Sequence, residues 1–343
     1  MAANDRGGRH DRPPRTGPGL APAEERSSAA ERGAGRPAAR VRPRGGGRAA
    51  SLRRLGQASL FVGPTMVILV VFSVLPIVVA LVASFTDLDL RGLRDWSLIE
   101  FIGLDNYDRL LGDPRFRAAA GNTVIFVLDG VPLIVVCSLA AALMVNYGSS
   151  RLFRVYRAFF FLPAITNIVA VAFIWGFLYN TDSGLINLIL SWGGVAPVPW
   201  LDQPVMAKVS VIIVAVWQGC GYNMLIFVAA LQGIPREFYE AAQVDGANAW
   251  RRFFSITLPQ LRFATFFVAV TTSISWIQLF ETPLVLTHGG PLDSTMSMAL
   301  FIYRNGFERN RFGYGSAASF LLFLVVVTVT AIQFKLRRQD SNV

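Results

Sequence analysis

Apolar residues along this chain come in long blocks rather than in the alternation of a half-buried strand. Six runs of about twenty residues recur, each long enough to cross a hydrocarbon core of about 30 Å as a helix. They lie near Leu60–Phe85, Thr123–Val145, Ala158–Tyr179, Val209–Leu231, Phe263–Leu286 and Ala317–Phe334. The pattern predicts an all-α membrane protein of six transmembrane helices. It divides into a tail over 1–55, a six-helix domain over 56–338 and a short C-terminal tail over 339–343.

The polar connectors carry the next layer of information. Between spans four and five stands Glu240-Ala241-Ala242, then Gly246, then Ile256, Leu258 and Pro259. At typical usage of about 7% per residue type, seven identities at fixed spacing arise by chance at about one start position in 10⁸. Pro235 suits a helix start, where its missing N–H would be unpaired anyway. Arg236–Val244 reads as a short helix. Asp245-Gly246 is a turn, with glycine free to take positive φ. A second helix, Asn248–Thr257, follows, and Pro259 interrupts the ladder before span five. Small Ala241 and Ala242 let a partner surface approach closely, and Glu240 offers it a charge. This is the pattern of a helix laid into another protein's groove.

Composition agrees with the blocks: 53% of the 343 residues are hydrophobic and only 16% charged, against roughly 25% charged in soluble domains. Most of the net charge of +10 lies in residues 1–55, where thirteen Arg face five acids. This Gly/Pro/Ala/Arg-rich tail lacks the apolar residues to bury a core and reads as disordered. It is expected to be a solvated arm that helps orient span one, rather than a ligand for nucleic acid or anionic lipid. The first apolar run starts too far from the N-terminus, and is too long, for a cleaved signal.

Arginine placement orients the bundle. Arg53 and Arg54, the Arg151–Arg157 group, the Arg236–Arg262 group, and Lys335, Arg337 and Arg338 all fall on one side of a six-span topology. That side is expected to be cytoplasmic, with both termini and the 235–259 loop inside. The opposite connectors are more acidic or neutral, although Thr86–Arg117 carries five Arg beside seven acids.

The loop resembles, in every defining position, the cytoplasmic "EAA" loop of ABC-transporter permeases. Phe101–Tyr107, Gly184–Asn187, Leu286–Pro291 and Phe312–Ala317 are similar to the carbohydrate-uptake branch, which includes maltose-type and glycerol-3-phosphate permeases. The resemblance covers about Leu60–Phe334. It implies the type I importer permease fold and a bacterial inner-membrane location. It also implies a second similar permease, two cytoplasmic ATPase subunits and an extracytoplasmic solute-binding protein, with a sugar as substrate. Glu240, Ala241, Ala242, Asp245, Gly246, Ile256, Leu258 and Pro259 would then form the ATPase-coupling element. The chain has no Gly-x-x-x-x-Gly-Lys-Ser/Thr loop, so ATP–Mg is expected on the partner and no cofactor on this chain.

Polar residues inside spans usually face a pathway. Span four carries Trp217, Gln218, Gly219, Tyr222 and Asn223, and Trp217-x-Gly219-x-x-Tyr222 matches a pattern that contributes to the sugar site in maltose-type permeases. Span five carries Thr272, Ser275, Trp276 and Gln278, and Thr272, Ser275, Trp276 and Leu279 make one stripe. Aromatic faces beside hydrogen-bonding groups suit sugar rings; helix packing is the alternative use of the same residues. Val209–Leu286 holds no cation within spans four and five, while Asp129 and Glu281 are acidic. A neutral sugar is therefore favoured over glycerol phosphate. The two acids are expected near the outer ends of their helices, hydrogen-bonded or wetted, rather than as a proton relay. Cys137 and Cys220 read as small apolar residues, and no catalytic or zinc constellation is present. The competing classes are a self-sufficient secondary carrier and a membrane enzyme; neither needs a docking loop.

Overall fold

The computed structural model describes residues 62–147 and 151–340, so the Arg-rich tail expected over 1–55 lies outside the described residues. Contacts divide the chain into residues 1–66 and 67–343, and the packing below concerns the second unit. The described elements are helical, with one isolated bridge between Thr86 and Phe101.

In chain order the helices are α1 (Val62–Ala83), α2 (Leu90–Arg94), α3 (Asp105–Gly112), α4 (Pro114–Tyr147), α5 (Arg151–Ile165), α6 (Ile168–Leu178), α7 (Leu185–Trp192) and α8 (Pro204–Gln232). They continue as α9 (Arg236–Val244), α10 (Ala249–Gln260), α11 (Arg262–Ile277), α12 (Pro283–Thr287), α13 (Met298–Tyr303) and α14 (Phe312–Asp340). The helix α14 runs through the position where a separate tail was expected to begin at 339. Among the described residues four helices, α1, α4, α8 and α14, are long and apolar enough to cross a membrane, and two bent pairs raise the number to six.

The bent pairs correct the expected spans. Span three does not run unbroken over Ala158–Tyr179: α5 and α6 meet at 108°. Pro163 has no N–H to give the ladder. Asn167 is extended and its side chain accepts from the Val169 N–H at 2.8 Å, capping a new helix. Span five is likewise divided. The 62° bend of α10 into α11 falls ahead of this span, where Pro259 was expected to interrupt the ladder; the span itself is divided because α11 stops at Ile277. Residues 278–280 are irregular before the backbone turns again into α12.

The helix α8 is the hub, packing mainly on α4 and also on α5 and α11. Close approach is bought with glycine. A Cβ on Gly219 would lie 2.7 Å from Ile134, one on Gly221 would strike the Phe160 carbonyl, and one on Gly130 would fall inside the Trp276 ring. Small residues at helix crossings are the usual solution where lipid supplies no hydrophobic drive between helices. One apolar cluster joins Phe126, Ile134, Tyr179, Val211 and Trp276. A second joins Ala142, Met224, Phe227, Leu261 and Val268, with Tyr239 and Ile256 packed against it. By contrast α1 leaves its apolar side chains outward, Phe72 among them, as a lipid-facing helix does.

The connectors opposite the EAA loop are pinned by buried amides. Asn106 donates to the carbonyls of Ser84 (2.9 Å) and Thr86 (2.8 Å), closing the end of α1 onto α3. Asn187 donates to Thr181 O and Val198 O, and accepts from the Val198 N–H and the Trp200 indole N–H. Asn122 holds Asp293 O and Met296 O. The motifs Phe101–Tyr107 and Gly184–Asn187 are therefore structural clamps.

Candidate transport cavity and coupling hairpin

The predicted hairpin forms. Pro235 is extended at the N-cap of α9, whose bounds agree with expectation. Gly246 takes φ +75°, and the Asn248 side chain caps α10 by accepting from the Arg251 N–H at 2.8 Å. The second helix runs past the expected Thr257 to Gln260. It does so through a π turn over Phe253–Thr257 that accommodates the ring of Pro259. The Tyr239 and Thr257 hydroxyls meet at 2.9 Å and tie the two helices together. Glu240, Ala241, Asp245, Gly246, Leu258 and Pro259 are exposed, and Ala242 and Ile256 are half-buried. Beside them an apolar patch faces outward: Val244 is 89% exposed and Trp250 72%, the latter stacked on Phe254. The hairpin is thus rooted in the bundle through Tyr239 and Ile256 and presents its other faces.

A cavity of about 470 Å³ opens between α8 and α11, within the usual range of ligand sites. It gathers Gln218, Gly219 and Tyr222 from α8 with Thr272, Ser275, Trp276 and Leu279 from α11 and its end. Seven of the eight residues expected in the pathway therefore line one cavity. Trp217 does not join them. It points to the other side of α8, lines an apolar pocket with Leu133 and Pro163, and meets Trp175 edge-on at 5.6 Å. One residue along a helix turns a side chain by 100°, so adjacent Trp217 and Gln218 part company.

The helix breaks shape this cavity. Ala164, just before the α5–α6 break, lines it, and Gln218 reaches across to donate to the Thr166 carbonyl at 3.4 Å. Gln278, Phe280, Glu281 and Thr282 come from the break after α11. Interrupted backbone at membrane depth is tolerated where it lines a cavity. The hydroxyls of Thr271 and Ser275 donate back to Phe267 O and Thr271 O, leaving their lone pairs as acceptors. Asn223 and Gln278, polar residues of spans four and five, also line the cavity, and so does Glu281, expected only as a wetted acid near a helix end. The cap signal Thr166-Asn167 inside an apolar run, and Pro283 after Glu281-Thr282, are the features that mark the breaks.

Glu281 lines the cavity, as an acid facing water should. Asp129 departs from expectation. Because α4 begins at Pro114, well before Thr123, Asp129 lies near the middle of this 34-residue helix, exposed, and not near its end. His288 sits in a left-handed turn (φ 49°) whose carbonyl accepts from Arg304 at 2.6 Å. Cys137 and Cys220 are free thiols.

Residues 130–339 match the family described as binding-protein-dependent transport system inner membrane component. The chain belongs to this family. It is 35% identical to the lactose transport system permease protein LacF of Rhizobium radiobacter over 82% of this chain and 93% of that one. It is 34% identical to the trehalose/maltose transport system permease protein MalF of Thermococcus litoralis over 81% and 92%. The fold matches a crystal structure of a bacterial alginate ABC transporter in complex with an alginate pentasaccharide-bound periplasmic protein, with TM-score 0.72 and 23% identity over 84% of this chain and 96% of that one. The permease is thus an inner-membrane component of a binding-protein-dependent importer of the carbohydrate-uptake branch.

Proposed function

We propose that this permease forms half of the translocation pathway for a neutral sugar or oligosaccharide, driven by ATP that Mg²⁺-loaded partner subunits hydrolyse. The observation that carries the reading is one chain holding both a polar, aromatic-walled cavity and an exposed hairpin anchored to the same helices. Tyr222 lines the cavity yet is 62% exposed, which suits a half-site completed by a second, homologous permease. Two cytoplasmic ATPase subunits would grip Glu240–Gly246 and the Val244/Trp250/Phe254 patch, the segment Ile256–Pro259 passing their movement to α11. The solute-binding protein would deliver ligand on the opposite side, where the buried amides of Asn106 and Asn187 stiffen the connectors. In this reading both termini are cytoplasmic, which the arginine distribution supports. The sugar reading draws on the lactose and trehalose/maltose permeases among the relatives. Among residues lining the cavity there is no Lys or Arg, which disfavours a glycerol phosphate, whose anion would want a cation or a helix N-terminus.

Glu240→Lys tests the coupling role. The variant is expected to insert and pair normally, to lose ATPase association by about tenfold or more, and to abolish uptake. Wild-type uptake by this variant would remove the hairpin from the mechanism and favour a motorless carrier.

A further inference from the structure

We infer that Glu281 is a specificity-determining residue, accepting hydroxyl hydrogen bonds from a neutral sugar and rejecting anionic ones; this rests on the sugar reading above. Among the residues lining the cavity, Glu281 is the one that carries a formal charge. The described residues give its carboxylate no ion pair or hydrogen bond. It owes its place to the break after α11. Had the helix continued at 100° per residue, its side chain would have lain about 180° from Thr272, on the face opposite the Thr272/Ser275/Leu279 stripe. The irregular backbone at 278–280 instead brings Gln278, Glu281 and Thr282 together on one cavity wall.

A carboxylate within a membrane-spanning bundle is expensive, and it is found where water or a ligand satisfies it. An ionised carboxylate only accepts hydrogen bonds, and its charge-assisted bonds are roughly twice as strong as neutral ones. Adjacent hydroxyls of a sugar ring supply two such donors. The Trp276 edge and Tyr222 ring beside it supply apolar surface for the C–H face. The same two oxygens repel a uronate, a phosphate or a sulfate, and no cation on this wall offsets them. The surrounding amides and hydroxyls of Gln218, Gln278 and Ser275 discriminate little between neutral and anionic solutes. Charge selection on this wall therefore falls to Glu281.

The test uses the whole transporter, co-expressed with its binding protein, second permease and ATPase. Uptake is measured for a panel of neutral mono-, di- and oligosaccharides and for the corresponding uronates. Glu281→Gln keeps size and polarity but removes charge, and should raise the uronate-to-neutral uptake ratio about tenfold. Glu281→Ala, which also removes the acceptors, should raise KM for the neutral sugar by about tenfold to a hundredfold. An unchanged ratio in Glu281→Gln, or an equal loss of both uptakes with falling protein level, makes Glu281 a mere helix-start residue and overturns the inference. Wild-type uptake of none of the sugars overturns the carbohydrate reading itself, a separate failure.

Discussion

In the hairpin of α9 and α10, charged and apolar residues face outward together: Glu240 and Asp245 stand beside Val244, Trp250 and Phe254. In the cavity between α8 and α11, polar side chains turn inward and the wall is made by two interruptions of the helices. The hairpin is local. Its caps, turn and tie come from residues within 26 positions of one another, Pro235 to Gln260. The cavity is assembled from four separated stretches around positions 134, 164, 218 and 277. One region is a handle whose chemistry is written in consecutive residues. The other is a volume that exists because helices stop where a simple span would have continued.

Two glycines sharpen this contrast because they act for opposite reasons. Gly130 has ordinary helical backbone but no room, since a Cβ there would meet the Trp276 ring that walls the cavity. Gly130→Ala should therefore displace Trp276 and destabilise the bundle by about 1–3 kcal/mol, the usual range for overpacking a core. Thermal unfolding of the purified complex reads the loss, and an unchanged midpoint would mean that this crossing is loose. Gly246 has the reverse character: open space around it, but φ +75°. Gly246→Ala should cost roughly 1–2 kcal/mol of left-handed strain, confined to the hairpin turn. It should slow ATP-coupled uptake severalfold while leaving the unfolding midpoint of the bundle nearly unmoved. A midpoint shift as large as that of Gly130→Ala would mean that the hairpin is part of the core rather than a handle on it.

Most of the hairpin was legible in the sequence because local chemistry dictates it. Pro235, Asp245-Gly246 and Asn248 each impose a backbone conformation on their own neighbours. The spans without interruption were equally legible from length and apolarity alone. The breaks in spans three and five were not, because the apolar run continues through them. Hydropathy sums over Thr166-Asn167 and over 278–280 without registering that a cap has begun or a ladder has lapsed. Asp129 lies mid-helix rather than near a helix end for a related reason. The helix α4 extends as far as Pro114 through a polar opening that hydropathy excludes from the span. Seven of the eight residues expected in a pathway nevertheless line one cavity, since period-3.6 stripes survive in the intact parts of α8 and α11. Trp217 was lost because its pattern reads along the chain, whereas the cavity reads around the helix.

The account stands on the hairpin being the point at which a separate motor moves the bundle. The most direct measurement is cross-linking from Ala241→Cys, exposed on α9, in membranes containing the whole transporter. The account predicts a disulfide to a suitably placed cysteine on the ATPase subunit, with a yield that changes when a non-hydrolysable nucleotide is added. A full-length permease that transports its sugar while Ala241→Cys links to no nucleotide-binding partner would contradict it.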